Sequence, residues 1–266
     1  MNSQDIIHMI NKNEVIIMLK KLISINIILT LILIGLLLSW MFYCIGDPSE
    51  FGHISHTYAK MSHQDDAQVI EKVNHVKHPV GQLINKNDKT YGTAFIVDDH
   101  TIISNYHVAK GDIKHIYFKP QMNSPYPQDY PTVTLTEKFE HEKKDIAVIH
   151  TKQSLHQYEK YTLTNQRPKW FESTTSVGYP HMPDRLNTDG LNQTTYRFLF
   201  CRGGRFYVAG TIYHGASGSP MLNSEGRAYG IASFNYDIDK DHESKRISGG
   251  TYFSQNDLMW IRRHLQ

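Results

Sequence analysis

The chain has 266 residues, with 28 Lys and Arg against 26 Asp and Glu and a formal net charge of +2. That near balance gives no electrostatic argument for a nucleic-acid partner. The two cysteines, Cys44 and Cys201, fall in an N-terminal apolar run and in a predicted strand, so there is no disulfide framework.

Residues 1–21 form a short N-terminal segment, expected in the cytoplasm. Leu22 to Ile45 is an apolar run of about 24 residues with no charge inside it, against the ~20 that a bilayer needs. It ends Ser39-Trp40-Met41-Phe42-Tyr43-Cys44, with bulky residues where a signal-peptide cleavage site has small ones. An uncleaved single-pass anchor is therefore expected; if it were cleaved, the remainder would be secreted. Lys12, Lys20 and Lys21 precede the run, and Asp47 and Glu50 follow it, which places the remainder of the chain outside the membrane.

Residues 46–77 read as a polar stalk or lead-in, with one short helix expected near Ala67–Val76. Their histidines, His53, His56, His63 and His75, have no compact ligand spacing with a supporting carboxylate or Cys, so no metal site is assigned. Strands are then expected at Val80–Ile84, Tyr91–Val97, Thr101–Ser104, Ile116–Lys119, Val133–Glu137 and Ile146–His150, all short and bounded by turn residues. A polar stretch at 152–170 separates these from a second set, at Ser176–Tyr179, Tyr196–Cys201, Phe206–Ile212, Pro220–Leu222, Ala228–Ser233 and Thr251–Phe253. A short helix is expected over Gln255–Leu265. Many short strands with glycine turns mean an all-β barrel or sandwich. With the first ~50 residues set aside, the remainder is long enough for a sizeable core. Arg202-Gly203-Gly204-Arg205 reads as a hairpin turn, because no helix follows it to bind phosphate. His141-Glu142-Lys143-Lys144-Asp145 nearly matches the H-E-x-x-H zinc pattern but lacks the second histidine.

Three segments carry chemistry together. Gly215-Ala216-Ser217-Gly218-Ser219-Pro220 offers a nucleophile in a glycine turn, Ser104-Asn105-Tyr106-His107-Val108-Ala109 a base, and Lys144-Asp145-Ile146-Ala147 an acid. A serine hydroxyl needs an adjacent base to accept its proton. A histidine can accept and return that proton near neutral pH. A carboxylate behind it holds the tautomer and stabilises the imidazolium. Acyl transfer also builds negative charge on a carbonyl oxygen, which backbone amides stabilise. The amides of Gly215 and Ser217 are the expected donors, with the glycines allowing the turn. Alone, a glycine turn, a histidine or an aspartate is ordinary punctuation. Here each sits at the end or start of an apolar strand, in the chain order His107, Asp145, Ser217. A lipase-type elbow is disfavoured, because Ser219 stands where that motif has glycine.

These segments resemble the trypsin-like serine proteases, and among them the bacterial glutamyl endopeptidases with the exfoliative toxins as near relatives. The matching pieces are GTAFIV at 92–97, IISNYHV at 102–108, DIAVI at 145–149, SVGYP at 176–180 and GASGSPMLNSEGRAYGI at 215–231. The resemblance covers roughly residues 78–266. It implies two six-stranded antiparallel β-barrels, at about 78–155 and 170–254, with a C-terminal helix at about 255–265 and the site in the cleft between the barrels. It implies His107, Asp145 and Ser217 as the triad of a cofactor-free serine endopeptidase acting on a protein or peptide, and a monomer. Ile212, Tyr213, His214, Ala232, Ser233 and Phe234 would line the specificity pocket.

Two departures matter. Acid-selective members of the branch use a histidine where Ala232 stands and a threonine where Ile212 stands, which speaks against a preference for Glu at the cleaved bond. Ala216 occupies the place of the aspartate that pairs with a newly released N-terminus in animal digestive enzymes, so activation of that type is unavailable. The competing expectation is a catalytically silent protease fold kept as a surface binding or adhesion module.

Overall fold

The structure is a computed structural model describing residues 3–44, 66–69, 78–87, 90–120, 131–181, 190–236 and 247–266. The chain divides into two compact units, Met1–Gly52 and His53–Gln266.

The first unit is built on helix α1, Ser3–Cys44. Its segment Ile17–Leu38, 22 residues, is long and apolar enough to cross a membrane. At 1.5 Å per residue that segment spans about 33 Å, close to the hydrocarbon thickness of a bilayer. Two of its polar side chains pair within the helix: Asn26 Nδ2 donates to the Leu22 carbonyl at 3.1 Å and Thr30 Oγ1 to the Asn26 carbonyl at 2.8 Å. Such internal pairing is what an apolar solvent demands.

In the second unit, strands β2 (Val80–Asn85), β3 (Thr90–Asp98), β4 (Thr101–Ser104), β5 (Ile116–Pro120), β6 (Val133–Glu140) and β7 (Ala147–Thr151) form a closed antiparallel barrel in the order β2-β3-β4-β7-β6-β5. A second barrel follows from β8 (Ser173–Gly178), β9 (Asn192–Arg202), β10 (Arg205–Ala209), β11 (Pro220–Leu222), β12 (Ala228–Tyr236) and β13 (Ile247–Tyr252). Its order is β9-β10-β13-β12-β11-β8, closed by pairing of β8 with β9. Helix α2, Gln255–Arg263, ends the fold. The two six-stranded barrels and the short terminal helix are the architecture expected from the sequence.

Two-residue alternation sorts the core. In β3, Ala94 and Ile96 point into the first barrel and Phe95 points out of it. Ile102 and Ile103 of β4, and Ala147, Val148 and Ile149 of β7, divide in the same way. The outward set of Phe95, Ile103 and Val148 meets Val177, Ile231, Phe253, Leu258 and Ile261, forming the seam between barrels. Burying such a side chain contributes about 1.5–3 kcal/mol, so the seam holds the two barrels in fixed register. Helix α2 joins it through one apolar face. Ser254 caps the helix and Asp257 returns a bond to the Ser254 amide, a reciprocal capping box.

Several element bounds differ from those expected, β9 starting at Asn192 and β13 at Ile247 among them, and two differences have a local cause. Asp66–Val69 forms a strand, β1, along β9, where the start of a helix was expected at Ala67. Ladder partners on β9 outweigh helix propensity there; positions 70–77 lie outside the described residues. β10 ends at Ala209 rather than Ile212, because Ser248 Oγ takes the Ile212 amide at 2.8 Å in place of a ladder carbonyl.

Candidate active site

β4 and β7 are antiparallel neighbours, with Ser104 opposite Ala147. The turn leaving β4 and the turn entering β7 therefore lie at the same end of the first barrel. His107 is on the former and Asp145 on the latter. His107 Nδ1 is 2.7 Å from Asp145 Oδ2, and the His107 amide donates to Asp145 Oδ1 at 3.0 Å. Asn105 Nδ2 donates to the Asp145 carbonyl at 3.0 Å, pinning the two turns together. The His107 side chain is 48% exposed and that of Asp145 28%. The histidine thus faces the cleft while the carboxylate sits behind it.

A second-barrel residue completes the carboxylate's shell: Ser233 Oγ donates to Asp145 Oδ2 at 2.7 Å. Burial pushes the Asp145 carboxyl up. The hydrogen bonds from His107 and Ser233 outweigh that cost and hold it below the usual carboxylate range. It stays ionised, as an orienting partner for His107 requires.

Ser217 lies on the turn before β11. Its Oγ donates to the Ser233 carbonyl at 3.4 Å, and among the described residues no hydrogen bond joins it to His107. Ser233 thus contacts both Asp145 and Ser217.

The turn around Ser217 is defined bond by bond. The Tyr213 carbonyl accepts from the Ala216 amide at 3.1 Å, the His214 carbonyl from the His181 amide at 2.6 Å, and the Ala216 carbonyl from the Ser219 amide at 3.0 Å. The Gly215 carbonyl accepts from Thr93 Oγ1 at 2.9 Å and the Ser217 carbonyl from the Thr93 amide at 2.7 Å. With these carbonyls turned away, the amides of Gly215 and Ser217 face the opposite side. Among the described residues neither finds an acceptor, so both are free for an incoming oxyanion. Gly215 and Gly218 have φ of 86° and 91°, values that L side chains rarely adopt.

The residues expected to line a pocket are divided by the structure. Ile212 and Ala232 are buried together with Ala216 in the second-barrel core. Tyr213 is half-buried and His214 exposed. Phe234 is half-buried, with its ring 5.9 Å from Tyr207. Ser233 directs its hydroxyl to Asp145 rather than into a pocket. Asn235, which the sequence did not single out, bridges the two walls by donating from Nδ2 to the Ile212 carbonyl at 3.2 Å. Thr93, inside the GTAFIV segment, was likewise not singled out, although its amide and hydroxyl both bond the turn that carries Ser217. Cys201 is no rival nucleophile, since burial pushes its thiol up to about 11.

Two antiparallel barrels packed side by side, with a His-Asp pair on one and a serine in an amide-lined turn on the other, define the chymotrypsin-like hydrolase architecture. The profile of the trypsin-like peptidase domain matches residues 92–231, just over half of the chain. The chain belongs to the trypsin-like peptidase family. Among solved structures it is similar to a Glu endopeptidase in complex with MPD, with a TM-score of 0.61 at 15% identity, covering 76% of this chain and 97% of that one. It is also similar to neuropsin, a serine protease expressed in the limbic system of mouse brain, with a TM-score of 0.60 at 15% identity over 74% and 98% of the two chains. The scabies mite inactivated protease paralogue S-I1 shares the fold, with a TM-score of 0.57 at 12% identity over 70% and 93%. At these identities the likenesses establish the fold alone.

Proposed function

We propose that this protein is a serine endopeptidase held at the cell membrane, with its catalytic unit outside. Ser217 Oγ attacks a peptide carbonyl while His107 takes its proton, and Asp145 stabilises the resulting imidazolium. The amides of Gly215 and Ser217 hold the oxyanion. His107 then gives its proton to the leaving amine, and water releases the acyl group from Ser217. The observation that carries this reading is the convergence, at one mouth of the cleft, of the 2.7 Å His107–Asp145 bond, the Ser217 hydroxyl and two unspent amides. In the Ser217 rotamer present, Oγ turns to the Ser233 carbonyl; rotation about χ1 is the adjustment that engages His107, as catalytic hydrogen bonds often tighten only on substrate binding. The N-terminal helix supports membrane attachment through its length and apolar character.

The test is covalent labelling of the full-length protein by a fluorophosphonate probe, beside Ser217→Ala. Labelling of the parent alone supports the proposal. A folded parent that does not label instead favours the second reading, a silent binding module. The Ser217–Ser233 bond and the inactivated mite paralogue among the fold neighbours make that reading specific.

A further inference from the structure

We infer that the hydroxyl of Thr93 fixes the peptide plane between the two oxyanion-binding amides, which makes Thr93 a positioning residue for acyl transfer; this rests on the serine-hydrolase reading above. Thr93 belongs to β3 of the first barrel and is fully buried. Its amide and its hydroxyl both donate to the nucleophile turn of the second barrel. Its amide donates to the Ser217 carbonyl at 2.7 Å. Its hydroxyl donates to the Gly215 carbonyl at 2.9 Å and accepts from the Tyr179 amide at 3.0 Å. Its carbonyl accepts from Ser104 Oγ at 2.7 Å.

The geometry of the turn makes the hydroxyl bond consequential. The Gly215 amide lies in the His214–Gly215 peptide plane, held by His181. The Ser217 amide lies in the Ala216–Ser217 plane, held by Ser219. Between them is the Gly215–Ala216 plane, whose carbonyl is the one bonded to Thr93 Oγ1. Peptide planes are rigid, so the relative aim of the two amides depends on rotation of that middle plane. It is flanked by a glycine, the residue least able to resist rotation. Within the turn that plane is held only at its Ala216 amide, which donates to the Tyr213 carbonyl at 3.1 Å; the Thr93 hydroxyl holds its carbonyl end from the opposite barrel, and through Tyr179 it ties that second restraint to the residue after β8. Only a residue that donates and accepts at one atom can join Tyr179 to Gly215 in this way.

The experiment compares the full-length parent, Thr93→Val and Thr93→Ser by their rates of labelling with a fluorophosphonate. In that reaction Ser217 Oγ forms a bond to phosphorus as the phosphorus–fluorine bond breaks, fluoride leaves, and the serine proton passes to His107. Thr93→Val keeps the β-branched shape and loses the hydroxyl. Its second-order rate is expected to fall roughly ten- to hundredfold. The final labelled fraction should match the parent, and so should the midpoint of the pH–rate curve, because Thr93 does not touch His107. Thr93→Ser restores most of the rate. Equal rates for Thr93→Val and the parent overturn the inference alone. So does a loss seen only in the final labelled fraction of both variants, since that reports unfolded protein. Failure of the parent to label overturns the enzyme reading and this inference with it.

Discussion

The hydroxyl of Ser233, on the second barrel, donates to Asp145 Oδ2, on the first, across 2.7 Å. It shares that oxygen with His107 Nδ1. Because the bond favours the charged carboxylate, removing it in Ser233→Ala should raise the Asp145 pKa toward its ordinary value. The sign follows from linkage. A carboxyl depressed in the folded state stabilises the fold fully above its unfolded pKa, about 3.9. That contribution is lost as pH falls through the folded value. Ser233→Ala should therefore narrow the acid window in which stability changes and move it upward. Carboxyl-carbon NMR titration of both proteins measures the shift; an unchanged Asp145 titration would contradict it.

Lys144 and Asp257 form an ion pair between the turn that carries Asp145 and helix α2. Asp257 is only 4% exposed at its side chain, and it also accepts from the Ser254 amide at 2.7 Å, with His141 Nε2 at 3.5 Å from its other oxygen. Burial raises the Asp257 carboxyl, but bonds from Lys144 and Ser254 bring it below the usual range. Its stabilisation is thus present above about pH 4 and lost below the folded value. Lys144→Ala leaves this carboxylate buried without its main partner and should cost about 3 kcal/mol. Lys144→Met with Asp257→Asn should recover much of the loss. Chemical denaturation of the parent and the two variants at neutral pH measures both changes.

Gly218 has no room for a side chain. Its φ of 91° disfavours any other residue, and a Cβ there would strike the Thr93 carbonyl and come within 2.5 Å of Ser104 Oγ. Backbone strain alone costs about 1–3 kcal/mol, and the contact adds to it. Gly218→Ala should lower the melting temperature and abolish fluorophosphonate labelling, whereas Gly226→Ala, with open space around its Cβ and a φ of 72°, should only lower the melting temperature.

If α1 is a membrane anchor with the positive side inside, a C-terminal epitope should be reachable in intact cells and an N-terminal one should not. Replacing Leu31 and Leu33 with Asp should release the protein from the membrane fraction. Reversed epitope accessibility would refute the orientation.

Much of this protein is legible in one dimension. The apolar run of α1 needs only length and composition to be read, since a bilayer imposes both. The barrel strands announce themselves through short apolar runs between turn residues, as at Thr101–Ser104 and Pro220–Leu222, whose bounds in the structure are those expected. His107, Asp145 and Ser217 stand out because each follows or precedes such a strand. Burial and pairing lie beyond that reading. Which carbonyl the Thr93 hydroxyl meets, and whether Ser233 turns to a pocket or to Asp145, depend on residues 122 and 88 positions apart in the chain. A buried hydroxyl bonds whatever acceptor the packing of two barrels brings within 3 Å, and only the tertiary structure decides which acceptor that is.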